Sequence, residues 1–129
     1  MNYRTTLLAA GLLGASAVIA GAFGAHALRE FLLEQGMASA WETGARYQLF
    51  HAIALLAAAF GLRLAPSSMT RRISWAAICW CIGTVLFSGS LYGLAAGGPR
   101  WLGPVTPVGG IALLAGWICI VAAGFTKEK

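Results

Sequence analysis

Four long runs of apolar residues separated by short polar breaks decide what this chain can become: residues 5–27, 44–64, 73–96 and 108–126. A helix needs about 20 apolar residues to cross the hydrocarbon of a bilayer, and each run meets that length. Inside hydrocarbon every backbone N–H and C=O must be satisfied within its own segment, so each run is expected to be an α-helix. Composition argues against a soluble domain: 59% of the 129 residues are hydrophobic and 10% are charged, where soluble domains carry about 25%. The expected fold is all-α, an integral membrane four-helix bundle, with residues 1–129 forming a single four-span domain.

The breaks carry signals of their own. Leu28 to Gly36 is short and amphipathic, with Leu28, Phe31 and Leu32 on one side and Arg29, Glu30 and Glu34 on the other. It is expected to lie along the membrane interface as a helix between spans one and two, stopped at Gly36. Ser39 and Glu42 have the spacing of a capping box, which predicts a helix start at about Ala40. Pro66, Ser67 and Ser68 end the second run, and Arg71 and Arg72 open the third. The stretch Gly97 to Pro107 (GGPRWLGPVTP) is expected to be a loop, because its prolines and glycines oppose regular helix.

The first run has a rival reading as a cleaved leader, since Arg4 precedes it and Ala25-His26-Ala27 has the small-x-small form of a cleavage site. Its length and its recurrent small residues, Gly14, Ala17, Gly21 and Ala25, favour a packed span instead. The fourth run repeats the pattern with Gly109, Ala112, Gly116, Cys119 and Ala123.

Charge gives the threading. The net charge is +5, but the basic residues stand singly at the ends of apolar runs and form no patch suited to nucleic acid. Arg4, Arg63, Arg71, Arg72, Lys127 and Lys129 fall on one side, and only Arg29, Arg46 and Arg100 on the other, where Glu30, Glu34 and Glu42 offset them. The richer side is expected to be cytoplasmic, which puts both termini inside. Trp41 and Trp101 then fall at the outer boundary and Trp75 near the inner one, while Trp80 and Trp117 lie deeper as packing residues.

This threading delivers uncommon polar groups from all four spans to one leaflet. His26 ends span one. Thr43, Tyr47 and His51 recur every four residues on span two, with Gln48 alongside; Thr84, Ser88 and Tyr92 do the same on span three, with Ser90 beside them; Thr106 stands at the start of span four. Polar side chains are costly in hydrocarbon and face the bundle interior, where they find one another. The plain reading of His51 is a neutral histidine bonded to Tyr92, Ser88 or a backbone carbonyl, fixing helix packing. A second reading makes it a proton-accepting or ligand-binding group in an outward-facing pocket. A third pairs it with His26 as a metal or haem ligand, which the lack of another strong ligand opposes. Glu42 and Arg46, four apart with the acid first, form an expected interfacial ion pair.

Catalytic patterns are missing from the sequence. No Asp exists for a hydrolase triad, Ser88-Gly89-Ser90 is not a nucleophile elbow, and there is no Walker A or H-E-x-x-H pattern. Cys79, Cys81 and Cys119 lie in apolar runs without metal or redox spacing and read as small buried hydrophobes. No cofactor and no metal are expected.

Four motifs in order, Gly21-Ala-Phe-Gly-Ala-His-Ala-Leu28, Trp41-x-Thr43-x-x-x-Tyr47-Gln48-x-x-His51, Phe87-Ser-Gly-Ser-Leu-Tyr92 and Leu102-Gly-Pro-Val-Thr-Pro-x-Gly-Gly110, resemble the successive signatures of the YgdD-like small inner-membrane proteins, which have mitochondrial relatives. The resemblance covers nearly the whole chain. It implies a four-span protein of the bacterial inner membrane, an uncharacterised family of unknown function, and no assigned catalytic residues. The expected role is a non-enzymatic accessory, assembly or lipid/protein-interaction protein, whose partners are membrane lipids and a membrane protein or a second copy of itself. The alternative is a small oligomeric transporter or channel lined by His51 and neighbouring Tyr and Ser groups, although the spans lack the carboxylate on which small carriers of this size rely.

Overall fold

The structure is a computed structural model that describes residues 1–126; Lys127, Glu128 and Lys129, the two lysines of which enter the sidedness count above, lie outside the described residues. Five helices follow in order: α1 (Tyr3–Ala25), α2 (Arg29–Glu34), α3 (Ala38–Leu64), α4 (Ser67–Ala95) and α5 (Leu102–Gly124). Four of them, α1, α3, α4 and α5, are long and apolar enough to span a membrane.

Local chemistry sets most boundaries. Asn2 caps α1 reciprocally: its side chain accepts from the Thr5 N–H at 3.0 Å, and the Thr5 hydroxyl accepts from the Asn2 N–H at 3.1 Å. The short α2 inserts one anchor, Leu32, into the protein and leaves Phe31 exposed. Gly36 follows with φ +65, a left-handed turn that glycine makes without strain. The expected capping box at Ser39 does not form. The helix starts at Ala38 with Met37 as an N-cap that makes no side-chain bond, and Glu42 instead pairs with Arg46. Pro66 forces Ala65 into extended backbone (φ −73, ψ 152) and so ends α3.

One helix is longer than its apolar run, and one expected loop is partly helical. The third span does not wait for Ile73: α4 begins at Ser67, directly after Pro66, so Arg71 and Arg72 lie on helix. A helix so prolonged carries Arg72 across to α5, where it donates to the Ala122 carbonyl and to the Thr126 hydroxyl, occupying acceptors at the α5 C-terminus. Nor is Gly97 to Pro107 all loop, since α5 starts at Leu102 and contains Pro107. Pro104 falls in the first turn, where a missing N–H costs nothing. Only Pro107 removes a ladder bond, the one to the Gly103 carbonyl.

In space the spans follow the order α1, α3, α4, α5, each packed chiefly on its neighbour. Buried residues make up 39% and 33% of the spanning windows of α3 and α4 but only 11% and 17% of those of α1 and α5. The two middle helices therefore form the core, and α1 and α5 flank it. Small residues make the contacts close. Gly109 and Gly116 of α5 sit directly against Phe87 and the Trp80 indole of α4, and a Cβ on Gly83 would fall 2.8 Å from the Leu113 backbone nitrogen. Gly109, Gly116 and the buried Ala123 recur every seven residues, the period of a left-handed helix seam. On α1 the buried line is Ala10 and Ala17, continued by Gly24 beneath Trp41, whereas Gly21 and Ala25 face outward.

The start of α1, the α3–α4 turn and the end of α5 share one end of the bundle. Arg63 lies over the Tyr3 ring, Ser74 donates to the Met1 carbonyl at 3.0 Å, and Arg72 reaches Thr126. By this threading α2 and the Gly97–Arg100 turn lie at the other end.

Candidate functional site

Polar side chains bridge the spans in sequence. Gln48 of α3 is the centre: its amide nitrogen donates to the Leu13 carbonyl (2.9 Å) and the Ser16 hydroxyl (2.7 Å) of α1, and its oxygen accepts from the Tyr92 hydroxyl of α4 (2.9 Å). Gln48 is 6% exposed, so this one amide ties three spans together while each of its polar atoms stays paired. Ser88 of α4 donates to the Gly44 carbonyl of α3 at 2.8 Å. The absence of a side chain at Gly44 admits the Tyr92 ring, which a Cβ there would meet at 3.0 Å. Between α4 and α5 the Ser90 and Thr106 hydroxyls share a hydrogen bond of 2.7 Å.

His51 is buried and closes the series. Its Nδ1 lies 2.8 Å from the Tyr47 carbonyl one turn back, and its Nε2 lies 3.2 Å from the Trp117 indole nitrogen of α5. A carbonyl can only accept and an indole N–H can only donate, so Nδ1 carries the proton and Nε2 is the acceptor. Both nitrogens of a neutral imidazole are thereby used. The partner is a backbone carbonyl, as one form of the plain reading allowed, but neither Tyr92 nor Ser88 is involved. Trp80 and Trp117 pack with ring centroids 4.8 Å apart, each about 6 Å from the imidazole.

The sequence-selected residues thus divide. Gln48, Ser88, Ser90, Tyr92 and Thr106 make bonds between helices, and His51 joins α3 to α5. Tyr47 turns away: it is 42% exposed and stacks beside Phe87 at 4.7 Å. Thr43 is half-buried, one turn from Tyr47. His26 ends α1 as an exposed C-cap and does not join the buried groups. Thr84 is buried at 2% exposure, and its hydroxyl has no hydrogen-bond partner among the described residues, nor has the Trp80 indole nitrogen one turn below.

A four-residue repeat explains the division. Four steps of an α-helix turn 400°, so residues four apart in Thr43, Tyr47 and His51 are offset by about 40° at each step and do not share one environment: Tyr47 is exposed where His51 is buried.

Several participants carried no polar signature. Ser16 was hidden in an apolar run, and Gly44 and Leu13 contribute only backbone. Trp41 belongs to the same assembly: its indole donates to the Ala20 carbonyl of α1 at 2.8 Å, and its ring lies 4.7 Å from that of Tyr92. It clamps two spans together from the first turn of α3. Trp117, expected as a packing residue, packs against Trp80 and His51 yet remains 47% exposed. Among the described residues no three His, Cys, Asp or Glu side chains converge as a metal site.

This geometry defines a class, the small polytopic membrane protein whose helices are tied by internal polar contacts. The chain belongs to the family described as "Protein of unknown function (DUF423)", which matches residues 20–110. It is 44% identical to the UPF0382 inner membrane protein YgdD of Escherichia coli strain K12, over 100% of this chain and 96% of that protein. It is 41% identical to a UPF0382 membrane protein of Haemophilus influenzae, over 99% of this chain and 98% of that one. A UPF0382 membrane protein of Staphylococcus epidermidis is 40% identical over 83% of this chain and 84% of its own length. No solved structure matches the chain. The resemblance read from the four sequence motifs is therefore correct, and the chain is a multi-pass membrane protein of an uncharacterised family.

Proposed function

We propose that this protein is a non-enzymatic accessory or assembly protein of the bacterial inner membrane, a rigid helical body that presents its outer faces to lipid and to a membrane-protein partner. The observation that carries this reading is how the polar groups are used. Gln48 and both nitrogens of His51 are committed to other parts of the same chain. A transport path or active site needs such groups free to meet a solute. Clefts between α1 and α3 and around the ends of α1 are lined by other residues. Meanwhile α1 and α5 turn Leu8, Leu12, Val18, Ile111, Leu114, Ile118 and Val121 outward, each more than half exposed, surfaces suited to acyl chains or to another helix. The asymmetry of basic residues supports placing both termini in the cytoplasm.

The test is a mild-detergent purification from native membrane, paired with flux assays in proteoliposomes. The accessory reading expects a defined larger complex and no proton-coupled flux. A flux that His51→Ala abolishes, while the protein keeps its helical content, would overturn it in favour of a transporter.

A further inference from the structure

At the end of the bundle that holds the α3–α4 turn, a groove of ≈ 390 Å³ opens between α1 and α3, within the size range of sites that hold small ligands. Leu7, Ala59, Phe60 and Leu64 make it apolar along its length, and Tyr3 and Arg63 stand at its mouth. Two arginines among the described residues gather here, Arg63 in the lining and Arg4 beside Tyr3. The Arg63 guanidinium lies 5.0 Å from the Tyr3 ring centre and that of Arg4 lies 5.8 Å from it, while the Arg4 Nε–H donates to the Tyr3 hydroxyl at 3.1 Å. One phenol thus gathers two like charges that would otherwise repel. The ion pair among the described residues, Arg46 with Glu42, belongs to α3 near its other end, as do Glu30 and Glu34 of α2. Phe60 and Leu64, 59% and 78% exposed, form a greasy wall that no side chain among the described residues covers.

An apolar trough one helix turn or more long, ending in a pair of guanidinium groups at the level where a span leaves the membrane, matches an amphiphile with an anionic head. Arginine pairs hold phosphate through parallel N–H donors, and a neutral zwitterionic head offers no net charge for them to neutralise. We propose that this groove binds an anionic phospholipid, with the phosphate between Arg4 and Arg63 and one acyl chain along Leu7, Phe60 and Leu64. The inference rests on the membrane location in the preceding reading, and on nothing in it about a protein partner.

The test uses the full chain in nonionic detergent, titrated with dioleoyl phosphatidylglycerol or dioleoyl phosphatidylcholine and read by native mass spectrometry. Two basic groups acting at a membrane surface correspond to a preference of about 30-fold for the anionic lipid. Arg4→Gln with Arg63→Gln should reduce the two lipids to equal affinity, whereas the same charge loss at the opposite end, Arg29→Gln with Arg100→Gln, should leave the preference in place. Phe60→Ala should weaken both lipids alike, and millimolar glycerol phosphate should not displace phosphatidylglycerol. Equal binding of the two lipids by the unaltered chain would overturn the proposal. So would an equal loss in the Arg29 and Arg100 control, or displacement by glycerol phosphate, which would mean that the head alone is recognised. If the double variant does not fold, Arg63→Gln alone carries the same comparison. Failure here would leave the accessory reading untouched, because that reading is tested by whether a larger complex is purified from the membrane.

Discussion

Gln48 shows how much one side chain can do in hydrocarbon. Its amide holds α1 and α4 to α3 at once, in a setting where a hydrogen bond between helices contributes about 0.6 kcal/mol on average and about 1.7 kcal/mol at most. Gln48→Leu should therefore destabilise the protein by about 1–2 kcal/mol, measured by unfolding in mixed micelles. Tyr92→Phe keeps the ring against Trp41 and Gly44, removes only the hydroxyl, and should cost about 0.6 kcal/mol. The two changes remove a shared bond, so the double variant should lose less than the sum; strict additivity would show that the bond contributes nothing. Reading the sequence found Gln48, Ser88, Ser90 and Tyr92 because polar residues inside apolar runs are conspicuous. It gave Tyr47 and His26 the same weight, since a four-residue spacing takes no account of helical drift or of where a helix stops. It passed over Ser16, and it placed Trp41 at the boundary and Trp117 among packing residues without their bonds, because those roles depend on which helix lies opposite.

Among the elements, α4 and α5 make the closest pair, and glycine is what permits it. A Cβ on Gly109 would strike the Phe87 backbone, with its Cα at 2.8 Å, while a Cβ on the adjacent Gly110 would meet only the Phe87 ring edge at 3.8 Å. Gly109→Ala should accordingly cost about 1–3 kcal/mol, the usual penalty of overpacking. Gly110→Ala should change unfolding by less than about 0.5 kcal/mol, the range of substitutions that disturb no packed contact. Similar losses at both positions would contradict the α4–α5 interface described above. The number and order of the spans were legible from hydropathy alone, because lipid leaves the backbone no alternative to helix. Helix starts were not. Prolines and basic residues read as breaks, yet Pro104 is harmless in a first turn, and Arg72 can enter α4 because its long side chain carries the charge to the end of α5.

For the molecule as a whole, the distribution of basic residues makes a prediction about sidedness. Alkaline phosphatase fused in the Pro66–Ser68 turn should be inactive, and fused at Gly98 it should be active, because the enzyme matures only outside the cytoplasm; the reverse pattern would invert the threading. The bundle itself is a series of neighbours, α1 on α3, α3 on α4 and α4 on α5, and its interhelical bonds run in the same direction. Gln48 meets groups on α1, Tyr92 and Ser88 meet groups on α3, and Thr106 and Trp117 meet groups on α4 and α3. During synthesis, then, each span emerging from the ribosome carries polar atoms whose mates are already in the bilayer. For these donors the order of translation is also the order of assembly, while the Gln48 oxygen and the His51 Nε2 are acceptors that wait for Tyr92 and Trp117 on spans made later.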